Sequence, residues 1–285
     1  MPKPSQSAGA ESPHLDEKEQ GQAAEHASLP ALVIHELVRD EGEAALVRNA
    51  GAMWWSALAA GMSMGFSFLT EAMLQSALPA TPWRHLIAGF GYCMGFVIVI
   101  LGRQQLFTES TLTALLPLLT RKNAQTFAAV LRLWGIVLLA NLSGTFIFAI
   151  ALTTHGVFAP EVTLALQDLS AQAIQGEFWA TVLRAVFAGW LIALMVWLLP
   201  SAKAERLLTV VLITYVVAIS HLSHIIAGSV EGIYAVLTGT ASVADYFLKF
   251  MFPTLLGNII GGVSLVALLN HAAIAAEMRP DVSEK

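Results

Sequence analysis

HLIAGFGYCMGFVIVIL-GRQQ-LFTES-TLTALLPLL, residues 85–119, is the stretch on which the fold turns. Its first part, His85 to Leu101, is apolar and close to the roughly 20 residues that a helix needs to cross a bilayer. It stops at Gly102-Arg103-Gln104-Gln105. A second apolar run, Ser110 to Leu119, is about half the spanning length. A helix broken inside a bilayer frees amides and carbonyls that cannot face lipid, so they must face protein or a polar path.

Working outward, the same pattern recurs later. Leu207 to Ser220 is apolar, His221 to Gly228 interrupts it, and Ser229 to Leu237 continues it. Four further runs read as unbroken spans: Met53 to Leu74, Phe127 to Leu152, Trp179 to Leu199 and Phe250 to Leu269. The expectation is an all-α membrane protein of six spans with the second and fifth broken. Each broken span is followed by a helix carrying Asn-x-x-Gly, at Asn141 to Gly144 and at Asn258 to Gly261. Thr108 precedes Asn141 by 33 residues and His224 precedes Asn258 by 34. Three spans per half give the halves opposite orientation, the signature of an inverted repeat, here over about 49–152 and 178–273.

Composition agrees. Of 285 residues 56% are hydrophobic and 12% charged, against about 25% charged in an average soluble domain. Nine of the 20 acidic residues precede Ala44, and the remainder has no basic stripe for nucleic acid. The lone Cys93 lies in an apolar run and reads as a buried thiol. Residues 1–30 read as a solvated acidic tail without the basic and apolar regions of a signal peptide. Residues 31–48 read as an amphipathic helix lying on the membrane or on the protein's own surface. The channel domain is then 49–273, followed by a tail over 274–285. Arg121 and Lys122, and Lys203 and Arg206, mark two loops as cytoplasmic. With six spans both termini lie on that side, whereas Arg84 is placed outside.

Leu106-Phe107-Thr108-Glu109-Ser110 resembles the Leu-Phe-Thr-x-x loop of the formate/nitrite transporter family. Trp134 through Gly144 is similar to that family's third helix, and His224-Ile225-Ile226-Ala227-Gly228 resembles the His-x-x-Ala-Asn of its fifth. The resemblance spans about residues 32 to 273. It implies an aquaporin-like protomer with its own pore, a homopentamer in a bacterial inner membrane, and passage of small monovalent anions or their conjugate acids. It implies His224 and Thr108 facing each other between two constrictions, Tyr92 and Phe96 on one side, Phe107 and Ile192 on the other. The sequence departs from the pattern at Arg103, Gln104, Gln105, Glu109, Gly189 and Gly228.

Each singled-out residue also has a plainer reading. His224 could be a packing histidine bonded to a neighbouring hydroxyl. A model imidazole titrates near 6.5, within cellular reach, which suits a proton donor or gate. Thr108 could contact solute or merely satisfy the broken backbone. Arg103 and Glu109 could form an internal pair, or could bind an anion and relay a proton, and Glu231 has the same ambiguity. His221 and His224, three apart, could join Glu109 or Glu231 around a metal in an intramembrane enzyme, although the spacing is not that of known zinc motifs. Asn141 and Asn258 read as structural. The resulting expectation is a non-enzymatic channel or transporter with no cofactor and no resident metal. The alternatives are the same fold conducting a neutral or cationic solute, or a membrane protein that transports nothing.

Overall fold

The computed structural model describes residue 14, residues 16–20 and residues 29–275. Most of the acidic tail (1–30) and of the C-terminal tail (274–285) lies outside the described residues. What remains is helical: α1 (Ala31–Val47), α2 (Ala50–Ala77), α3 (Arg84–Leu101), α4 (Phe107–Thr113), α5 (Leu115–Arg121), α6 (Ala124–Leu152), α7 (Pro160–Ala173), α8 (Phe178–Leu198), α9 (Arg206–Ile219) and α10 (Ile225–Leu237). A last helical stretch, α11 over 243–275, contains π-type turns at Tyr246–Met251 and Gly261–Leu268. Five helices are long and apolar enough to cross a membrane: α2, α3, α6, α8 and the Val243–Ser264 part of α11. The shorter α9 and α10 are also apolar.

Local chemistry explains the helix limits. Asn49 caps α2 by accepting from the amides of Gly51 and Ala52, and Asn123 caps α6 by accepting from Thr126. Lys122, in the left-handed region at φ 48°, ends α5 and turns the chain. Large apolar side chains point outward as well as inward: Trp55, Leu139, Trp179 and Leu183 are all more than half exposed. An outer surface this apolar suits lipid or a neighbouring subunit, not water.

The junction from α3 to α4 and the junction from α9 to α10 are built alike. After α3 and after α9 the chain takes one left-handed residue, Arg103 at φ 50° and His221 at φ 49°. The Gln104 amide then donates back to the Val99 carbonyl, and the Leu222 amide to the Val217 carbonyl. Asn141 Oδ1 accepts from the Phe107 amide at 2.9 Å, and its Nδ2 donates to the carbonyls of Ala57 and Gln105 at 2.6 and 3.0 Å. Asn258 Oδ1 accepts from the Ile225 amide at 2.9 Å, and its Nδ2 donates to Ala185 and Ser223 at 2.8 and 2.9 Å. Both asparagines are fully buried. They satisfy backbone groups that the interruptions free, which an apolar surrounding demands. Close helix approach makes this possible. A Cβ on Gly61 would overlap the Asn141 carbonyl, and one on Gly189 the Asn258 carbonyl.

Two local expectations are corrected. The second interruption covers 220–224 and not His221 to Gly228, because α10 already starts at Ile225. Gly228 does not break the helix; it makes room for the Phe250 ring, which a Cβ there would strike. Residues 153–177, which read in the sequence as a loop with a weakly amphipathic segment, contain a regular helix, α7, begun by Pro160 and packed through Ala165, Leu166 and Ser170.

Candidate functional site

The half-helices α4 and α10 bring their first residues together. His224, at the N-cap of α10, accepts the Ala227 amide on Nδ1 at 3.2 Å. A backbone amide can only donate, so this nitrogen carries no proton. The neutral ring then holds its proton on Nε2, which faces Thr108 Oγ1 at 2.8 Å. Thr108 thus accepts from the histidine and keeps its own hydroxyl proton for another acceptor. Both side chains are 1% exposed.

Apolar groups surround this pair. The Phe96 ring meets the His224 ring edge-on, with centroids 4.9 Å apart, and Tyr92 lies 5.4 Å beyond Phe96. Phe107 packs against Trp134. Phe96, Phe107 and Ile192 are essentially fully buried in one core cluster that also contains Tyr92. Thr108, His224, Phe96 and Tyr92 thus form a chain of contacts, while Phe107 and Ile192 are buried within the same large apolar cluster.

A cavity opens on either side. The one away from α1, about 410 Å³, is lined by Tyr92 and His224 at its base and by Glu71, Glu231, His221, Arg184, Gln172 and Gln175. The one beneath α1, about 750 Å³, is lined by Arg48, Arg103, Gln104, Gln105, Glu109, Lys203 and Arg206, with Asp40 and Glu41 from α1 itself. Phe96, Phe107, Thr108 and Ile192 line neither cavity.

The expected charge network is only partly assembled. Arg103 pairs with Glu41 at 3.2 Å and not with Glu109. This corrects the internal Arg103–Glu109 pair. The cause is positional: the left-handed turn at Arg103 aims its side chain toward α1, whereas Glu109 follows the break on α4. Among the described residues Glu109, Glu231 and Glu71 have no ion pair and no side-chain hydrogen bond. His221 stands beside His85, ring centroids 6.0 Å apart, and on the cavity wall rather than against His224. With Nδ1 and Nε2 of His224 both engaged, and no cluster of three potential metal ligands among the described residues, the donor set does not fit a metal centre.

Sequence reading missed Glu71 and the role of α1. Glu71 is an acid within an apolar spanning helix, and a charged residue at such depth is itself a signal of function. Helix α1 is tied to the channel body at several points. Glu43 pairs with Arg121 at 2.7 Å, and buried His35 meets His271 at 3.1 Å and Glu36 at 3.0 Å. Partial burial would raise the Glu36 carboxyl, but hydrogen bonds from Arg39 and His35 outweigh it and hold it below the ordinary value.

Comparison with known proteins follows from this geometry. Residues 32–272 match the family model described as formate/nitrite transporter. The inner membrane protein YfdC of Escherichia coli (strain K12) is 41% identical over 267 residues, covering 92% of this chain and 86% of that protein. The formate channel FocA of Haemophilus influenzae is 22% identical over 243 residues, covering 76% and 84%. Among solved structures, a pentameric formate channel with formate bound superposes with a TM-score of 0.69 at 20% identity, covering 79% of this chain and 98% of that one.

Proposed function

The chain belongs to the formate/nitrite transporter family, and from that premise we propose that it moves a small monovalent anion or its conjugate weak acid between its two cavities, past Thr108 and His224. The observation that carries this reading is the 2.8 Å contact of Thr108 with His224, buried between two polar cavities with the Phe96 ring edge-on against the histidine. In this reading six spans with two broken helices form an inverted aquaporin-like protomer, five protomers assemble in the bacterial inner membrane, and α1 and both termini face the cytoplasm. The repeated asparagine contacts, the basic loops and the pentameric formate channel with a similar fold support it.

The mechanism follows from the apolar girdle. A bare charge crossing Phe96, Phe107 and Ile192 would be costly, and a neutral acid crosses cheaply. Tyr92 and Phe96 act as one constriction, Phe107 and Ile192 as the other. Between them the free proton of the Thr108 hydroxyl meets a solute oxygen, while the Nε2–H of His224 fixes the direction of that hydroxyl. His224 in this arrangement is a gate and positioning residue. Protonating its Nδ1 as well would cost it the Ala227 amide.

A second reading, a neutral or cationic solute, is favoured by one observation: the unpaired carboxylates Glu71 and Glu231 line one cavity and Glu109 the other. Flux into proteoliposomes separates the two. Formate or nitrite should cross at least tenfold faster than methylammonium or an uncharged solute, and His224→Phe should abolish the difference while the protein still assembles. Equal rates for the cation, or unchanged formate flux in His224→Phe, would overturn the first reading.

A further inference from the structure

The cavity beneath α1 holds more positive charge than its own carboxylates neutralise. Of its cations, Arg103 is spent on Glu41, and among its acids Asp40 is spent on Arg39 at 2.8 Å. Arg48, Lys203 and Arg206 have no carboxylate within ion-pair distance among the described residues, and the sole acid left to face them is Glu109. Arg48 uses one nitrogen on Gln105 Oε1 at 3.3 Å. Two buried polar atoms on this same wall have no partner at all: Nε of Arg206 and Oε1 of Gln104. Buried polar groups are ordinarily satisfied, and an orphaned guanidinium N–H is costly. The Arg206 Nε–H is a donor left for a group from outside the chain, whereas the Gln104 oxygen is an acceptor and does not contribute to holding an anion.

We propose that this cavity is a binding site for a small doubly charged oxyanion of the inorganic phosphate class, held by Arg206, Arg48 and Lys203, and that the bound anion obstructs the path to Thr108. Three cations face a single acid, the half-buried Glu109, and leave an excess of positive charge that a divalent anion offsets more fully than a monovalent one. Guanidinium groups present paired donors matched to the oxygens of phosphate, and Lys203 adds a mobile point charge at the rim. The cavity, about 750 Å³, admits phosphate with its hydration water. A single proton neutralises formate but not hydrogenphosphate, so the divalent ion cannot follow the transported acid through the apolar girdle. It stays at the mouth. The binding site stands on the cavity's own geometry, and only the obstruction rests on the transport reading given above.

The test uses the full chain in nanodiscs and inorganic phosphate at constant ionic strength, followed by calorimetry. Saturable binding of one phosphate per protomer is expected. It should weaken at least tenfold in Arg206→Gln and in Lys203→Gln, and be unchanged in Arg121→Gln, whose cation pairs with Glu43. Lys203 is exposed, so its variant tests the site even if Arg206→Gln misfolds. A nucleoside monophosphate measured in parallel tells free phosphate from a phosphoryl group carried by a larger metabolite. In proteoliposomes, phosphate on the α1 side should slow formate flux in the parent and not in Lys203→Gln. Absence of saturable binding while formate still crosses would overturn the site and leave the transport reading standing. Binding that survives both substitutions would place phosphate elsewhere and overturn it equally. Binding with no effect on flux would refute the obstruction.

Discussion

The two interrupted helices share a frame and differ in what they carry. Asn141 and Asn258 make the same three hydrogen bonds, and Arg103 and His221 make the same left-handed turn. Yet the residue before the first half-helix is Leu106, which offers no side-chain cap, and the residue before the second is His224, which does. The cavities diverge further. One ends in unpaired Glu71 and Glu231, and the other is ringed by Arg48, Arg103, Lys203 and Arg206. The frame is thus constrained twice over by the same physics, the need to satisfy freed backbone groups in an apolar surrounding, whereas the side chains lining the two cavities are free to differ.

The comparison breaks most severely at the asparagines. Asn141→Ala should orphan the Phe107 amide and the Gln105 carbonyl, and Asn258→Ala the Ile225 amide and the Ser223 carbonyl. At about 1–3 kcal/mol for each buried group left unmade, either change should destabilise the protein by at least ~2 kcal/mol. Unfolding in mixed detergent should show similar losses for the two variants. A loss confined to one of them would mean that the two frames are not equivalent.

The second effect is functional and falls on the asymmetric centre. Thr108→Val keeps the shape and removes the hydroxyl. Formate flux should fall about tenfold, the equivalent of about 1.4 kcal/mol for one hydrogen bond lost at the constriction. Thr108→Ser should retain most of the flux. Thr108→Val also leaves the buried Nε2–H of His224 without an acceptor and should lower stability by about 1–3 kcal/mol, whereas Thr108→Ser keeps that acceptor and should hardly change it. Equal flux in the valine and serine variants would reduce Thr108 to packing.

How much of this was legible in the sequence follows the same division. The ends of α3 and α9 and the two asparagines could be read because their signals are local: a polar run inside an apolar one, and an Asn-x-x-Gly at matched distance. The far edge of the second break could not. Gly228 has the composition of a breaker, and only the Phe250 ring from α11 explains why it lies within a helix. The meeting of Thr108 with His224 rested on family resemblance, because nothing local in either stretch encodes a contact across more than a hundred residues. The pairing of Arg103 was misjudged for a similar reason. The nearest acid in sequence, Glu109, lies beyond the break, whereas Glu41 is brought up by the docking of α1. Glu71 and the cations beneath α1 become meaningful only when the cavities that collect them exist.

The carboxylates sharpen the contrast between the two faces. Glu71→Gln and Glu231→Gln each remove one unpaired acid, with whatever negative charge it carries, from the cavity above His224 and keep a similar shape. If these charges oppose anions arriving from that side, formate entry from it should rise two- to fivefold, a change on the order of 0.5–1 kcal/mol, and more at low salt than at high salt. Entry from the α1 side at saturating formate should change less. A fall in flux in either variant would instead assign the carboxylates an active part in passage, as proton carriers or cation ligands.

The smallest effect tests the frame at its strained points. Arg103 and His221 hold φ values of 50° and 49°, a region that a side chain with a Cβ adopts at a cost of roughly 1 kcal/mol or more and glycine adopts freely. Arg103→Gly also gives up the bond to Glu41, but both of those side chains are largely exposed, and exposed pairs contribute at most about 1 kcal/mol. His221→Gly gives up only a ring contact with His85 across 6.0 Å. Both substitutions should therefore be neutral or mildly stabilising, the histidine variant more so, as read by detergent unfolding. Destabilisation of both would show that these side chains, and not the turn itself, hold the ends of α3 and α9 in place.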